Sequence, residues 1–123
     1  MMEQFDIKPV ETDVLKAIFP DYNGLESYKE CISRMVAQCL QDNVHKVLAD
    51  VTRVTVRIPV LDLYELGRHF TMIPGCQTIK YAFVVRAEIM YEDNFFENLM
   101  VNRGLEIKRF TDFDEALRWL RNG

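Results

Sequence analysis

Residues 105–120 read LEIKRFTDFDEALRWL, and this stretch decides the fold. From Leu105 to Phe110 the residues alternate with the period of a strand. Thr111 or Asp112 then caps a helix that turns Phe113, Ala116, Leu117 and Leu120 inward. Asp112 and Glu115 stand at capping-box spacing, where carboxylates pair with backbone amides that the first helical turn leaves unbonded. Gly104, just ahead, fits the left-handed position that closes many helices. The chain therefore ends on a helix–strand–cap–helix sequence, the grammar of an α/β sheet.

Working back, the same grammar repeats. Phe95, Phe96, Leu99 and Met100 mark a helix, with Asp93 as its expected cap and one Phe of the pair turned into the core. Ile79 to Val85 is a strand's length of apolar residues, and Val47-Leu48-Ala49-Asp50-Val51 has little alternation, the pattern of a strand covered on both faces. Between them, Leu63, Tyr64, Gly67 and Phe70 predict a helix stopped at Pro74-Gly75. Residues 52–60 read as a loop with room for further extended structure. Leu25, Tyr28, Ile32, Met35, Val36, Cys39 and Leu40 recur at three and four residues, an amphipathic helix that Asp42-Asn43 ends.

At the N-terminus, residues 4–10 and 14–19 are two extended runs joined by Glu11-Thr12-Asp13, which predicts an antiparallel hairpin. Pro9 cannot donate to a ladder and belongs on an edge strand. The order is ββαβαβαβα. It predicts an α/β fold with a mixed, mainly parallel sheet covered by helices, as a single domain over residues 1–123.

Composition narrows the function. A net charge of -4 argues against a nucleic-acid surface, which needs clustered Lys and Arg. Cys31, Cys39 and Cys76 form no C-x-x-C pair, so neither zinc nor a thioredoxin-type couple is signalled, and buried thiols in a reducing compartment are expected. The longest apolar strings are strand-sized, short of the ~20 residues of a membrane helix. Glu3 and Asp6 stand where a signal peptide would be basic. A cytoplasmic protein without a membrane span is expected.

Motifs of chemistry are sparse. His45 and His69 have no shared spacing that would make a metal site. No phosphate-cradling glycine loop or nucleophile elbow is present. Asp62 with Glu65, like Asp112 with Glu115, sits where carboxylates favour helix N-termini. The informative region is the carboxyl end of the sheet, where open α/β folds gather ligands. Asp50, Thr52, Arg53 and Thr55 follow one strand, Arg86 and Glu88 the next, and Thr111 the last. Arg86 breaks out of an apolar strand, and its fork suits a carboxylate or phosphate. The equally weighted alternative is a salt bridge from Arg86 to Asp50 that closes the sheet end.

Asn102-Arg103-Gly104, the short strand, Phe110-Thr111-Asp112, Glu115-Ala116-Leu117 and Trp119-Leu120 together resemble the closing signature of a bacterial family of small SpoIIAA-like proteins, related to STAS and SEC14-type domains. Val47-Leu48-Ala49-Asp50 falls where that family carries a hydrophobic strand ending in Asp. The resemblance implies a STAS/SpoIIAA-like α/β sandwich, no catalysis and no cofactor. It also implies a regulatory role through a protein partner or self-association as a homodimer, or a SEC14-like carrier of a small apolar ligand. The serine of the STAS phosphorylation switch has no counterpart, because Ile58-Pro59-Val60-Leu61 occupies its turn; Thr55 is the nearest hydroxyl. A carrier would need a cavity lined by residues such as Phe70, Met72, Phe95 and Phe96.

Overall fold

A computed structural model describes residues 4–90 and 94–122, the side chains of residues 89 and 90 excepted. Strands β1 (Asp6–Glu11) and β2 (Val14–Ile18) form the expected hairpin. Helix α1 (Leu25–Gln41), strand β3 (Lys46–Asp50), helix α2 (Val60–Thr71) and strand β4 (Lys80–Val84) follow. A four-residue helix α3 (Ala87–Met90), absent from the sequence expectation, precedes α4 (Phe95–Asn102), β5 (Glu106–Phe110) and α5 (Phe113–Arg121). Residues 52–59 carry no strand. Asn94 stands at the cap position of α4, and Asp93 and Tyr91 lie outside the described residues.

The five strands lie side by side in chain order, β1-β2-β3-β4-β5, antiparallel at the first pair and parallel thereafter. Pro9 sits on the edge strand, as its missing donor requires. Because each parallel strand is added on the same side, right-handed crossovers place α1, α2 and α4 on one face. Their apolar sides meet Leu15, Val47, Tyr81 and Ile107, which face one another across the four parallel strands. Helix α5 returns over the other face and buries Ala116 and Leu120 against Leu48, Ala82 and Val84.

Local chemistry explains the ends. Asp112 Oδ1 accepts from the Asp114 amide at 2.7 Å and the Glu115 amide at 3.4 Å, so the cap read from sequence is present. Phe113, expected inward, is 36% exposed and lies beneath the Lys16 ammonium instead. It is the first residue of the helix, and its direction is set by the cap before the apolar stripe begins. Lys80 is buried, with Nζ donating to the Trp119 carbonyl at 2.6 Å and lying 4.3 Å above that ring. The ammonium thus satisfies a carbonyl in the last turn of α5, where a cation is favoured. Gly67 lets α4 approach α2, since a β-carbon there would come within 2.5 Å of Met100 Cε. Cys31, Cys39 and Cys76 are all buried and free.

Candidate functional site

The parallel strands end in one row, with Ile18, Asp50, Val84 and Phe110 in register. Just before it lies the row Ala17, Ala49, Phe83 and Arg109, facing the helices. Ala17 and Ala49 are fully buried in the main core, while Phe83 and the charged Arg109 border open space. The helical layer is hollow at this end. A cleft of about 530 Å³ opens there, within the range of small-molecule sites.

Its inner wall comes from α1 and the sheet: Tyr28, Ile32 and Met35 on the helix, Phe19 after β2, Val51 and Val54 after β3, Phe83 on β4 and Val85 just after it. Its outer wall is α2 and α4, through Val60, Leu63, Leu66 and Phe96. Phe83 and Phe96 stack at 5.9 Å with an interplanar angle of 19°. The loop 54–58 forms the mouth, with Thr55, Val56 and Arg57 exposed.

Three hydrogen bonds hold that loop and the start of α2 to the β2–α1 connection. Asp21 accepts from the Thr55 amide at 2.9 Å and from the Thr55 hydroxyl, and these donors hold its carboxyl below the ordinary value. The Tyr22 hydroxyl donates to Asp62 at 2.7 Å, and burial with that carboxylate pushes the phenol well above its ordinary range. Asp62 therefore fastens α2 to a neighbouring loop as well as facing the helix dipole.

The charged groups of the cleft are Arg57, Arg86, Glu88, Glu97 and Arg109. Glu97 and Arg109 form a largely buried pair at 3.3 Å, and Glu97 also accepts the Arg109 backbone amide at 3.1 Å, covering a donor on the sheet's edge strand. Sequence reading missed both residues. The signal was present: Arg109 is in phase with Leu105 and Ile107, so strand alternation turns it inward.

Of the residues expected at the sheet end, Thr55 and Arg86 line the cleft, while Asp50, Thr52 and Arg53 lie outside its lining. The Arg86–Asp50 salt bridge does not form. Arg86 Nε points to Glu88 at 3.4 Å, and Asp50 Oδ1 accepts from the Thr52 amide at 3.0 Å and its hydroxyl at 2.6 Å. A bond two residues away costs less chain ordering than a bridge between strands, and it wins. Of the residues expected around an apolar cavity, only Phe96 contributes. Phe70 is fully buried in the solid part of the core, Met72 is 70% exposed, and Phe95 is not in the lining.

The histidines serve elsewhere. His69 Nε2 lies 2.7 Å from Ser33 Oγ and 3.1 Å from the Lys29 carbonyl, bridging α2 to α1, and His45 contacts Thr78 and Asn43. Among the described residues no cluster of His, Cys, Asp and Glu has metal-ligating geometry, and no helix is long and apolar enough to cross a membrane. No protein-family model matches the sequence, and no curated protein matches it. The fold and site together define an α/β protein with a mixed, mostly parallel five-stranded sheet and an apolar cleft beyond its carboxyl end.

Proposed function

We propose that this chain is a non-enzymatic binding module that holds a small, mainly apolar ligand in the cleft between α1, α2, α4 and the carboxyl ends of β3 and β4. The observation that carries the reading is the cleft itself, a mainly apolar space of about 530 Å³ at the carboxyl end of the sheet. The non-catalytic part of the reading is supported by the carboxylates of the cleft. Glu97 is engaged by Arg109, and Glu88 faces Arg86. A cytoplasmic carrier related to the SpoIIAA-like and SEC14-type domains accords with the closing signature at 102–120.

Leu63→Trp tests this reading by filling the cleft from α2. The wild-type chain, isolated from its own host and examined by native mass spectrometry, is expected to retain a small-molecule adduct. It should also bind the fluorescent probe N-phenylnaphthylamine, and the filled variant should do neither while unfolding within about 1 kcal/mol of wild type. A wild-type chain with no adduct and no probe binding overturns the reading.

A specific observation favours a second one, a regulatory module acting through a protein partner or a second copy of itself. Val56 and Val60 are about half exposed and Leu61 is 78% exposed, an apolar patch on the outer side of the mouth. Leu61→Glu separates the two: it should abolish a dimer detected by analytical ultracentrifugation if this patch is the interface, and leave probe binding intact if the cleft acts alone.

A further inference from the structure

We infer that the ligand of this cleft is a single-tailed amphiphile with an oxyanion head, its tail in the apolar interior and its head at the mouth between Arg57 and Arg86. The inference rests on the reading of the cleft as a ligand site and adds the chemical class of the ligand. The chain as a whole carries -4, yet the cleft's lining holds three arginines against two glutamates, a local balance of +1. Burial separates these charges into two groups.

Arg109 and Glu97 are a closed pair in the wall, with side-chain exposures of 11% and 20%, and both Glu97 oxygens accept from Arg109. Arg86 and Glu88 form an exposed pair at 3.4 Å through Nε, a contact of the kind that contributes little. A guanidinium has five donors in a fixed fork, so most of Arg86's remain for a second acceptor. Arg57 makes no hydrogen bond or ion pair among the described residues and lies at the same mouth.

The neighbouring acids keep their charge, but each is already engaged by a neutral donor rather than by Arg57 or Arg86. Asp21 is bonded to Thr55, Asp50 to Thr52 and Asp62 to Tyr22. An oxyanion at the mouth therefore meets one arginine without a partner among the described residues and one weakly held. A wholly neutral ligand would leave both guanidiniums unused beside the apolar entrance. The apolar walls take the tail, at about 0.8 kcal/mol for each methylene removed from water.

Calorimetric titration of the full-length chain with four ligands of one tail length, each below its micelle concentration, tests the inference. Decanoate or decyl phosphate is expected to bind about tenfold more tightly than decanol, and decylamine more weakly than decanol, with the better of the two anions identifying the head. Arg57→Gln with Arg86→Gln should remove the anion's advantage and leave decanol's affinity unchanged, and raising the salt concentration should shrink the advantage in the wild type. Equal binding of anion and alcohol, or preference for the amine, overturns the inference and leaves the cleft as an apolar site. Failure of all four to bind overturns the reading of the cleft itself. Both arginines are exposed, so unchanged melting temperatures should accompany these results.

Discussion

Two rows of residues on the same face of the sheet part ways at β4 and β5. Leu15, Val47, Tyr81 and Ile107 are buried beneath Met35, Val36, Cys39 and Phe70, in a layer where Tyr81 and Phe70 meet edge to face at 4.9 Å. Two residues further along each strand, Ala17 and Ala49 are likewise fully buried, while Phe83 on β4 and Arg109 on β5 line the cleft. Both rows belong to the same strands and lie under the same helical layer. What differs is that the second row borders open space at its β4 and β5 members. Solid packing supplies stability, and an open end gives up dispersion and burial in exchange for a place where something else can be buried. The cleft thus needs no topological switch point, and the sequential strand order provides none.

The comparison breaks first under truncation. Phe70→Ala removes a fully buried ring from the solid end and is expected to cost about 3–5 kcal/mol, read as a lower urea midpoint at unchanged slope. Phe96→Ala, in the wall of the hollow end and partly exposed, should cost about 1 kcal/mol, because its ring already borders open space. Equal costs would mean that the two ends are equally packed and that the cleft is a shallow surface feature.

A smaller effect concerns the latch over the mouth. Tyr22→Phe deletes only the hydroxyl that donates to Asp62 and should cost about 1 kcal/mol. The informative readout is kinetic: with α2 untied from the β2–α1 connection, dissociation of a bound probe should accelerate more than stability falls. An unchanged dissociation rate would show that the cleft exchanges ligand without moving α2.

Much of this fold was legible in the sequence, for a physical reason. Period, caps and punctuation are local, so α1, the hairpin with Pro9 on its outer strand and the Asp112 cap could all be read from neighbouring residues. The location of the cleft was half legible: it opens at the carboxyl end of the sheet, and Thr55 and Arg86 line it. Its partners were not. Which side chains share a row depends on register, and register appears only once strands pair, so the adjacency of Phe83 and Arg109 in the cleft wall is invisible in a linear reading. Asp50 illustrates the other failure, in which a short-range turn outcompeted the long-range charge that looked most attractive.

The smallest expected effect lies at Asp21, where two comparable carboxylates can be set against each other. Asp21 on the cleft side is held below its ordinary 3.8, first by the Thr55 hydroxyl and then by the backbone amides of Thr55, Tyr22 and Val56. Glu11, beside α5, is held below its ordinary 4.5 chiefly by Arg121. A lowered folded value means that each contribution is complete above the ordinary value and disappears as pH falls through the folded one. Acidification should therefore release both contacts, but only the Asp21 contact governs the mouth. In an NMR titration the Thr55 amide is expected to shift with a midpoint below 3.8, and Asp21→Asn should abolish that transition while the Glu11–Arg121 contact titrates as before. A Thr55 midpoint at or above 3.8 would mean that the loop is not held by Asp21, leaving Tyr22 and Asp62 as the tie between α2 and the rest of the cleft.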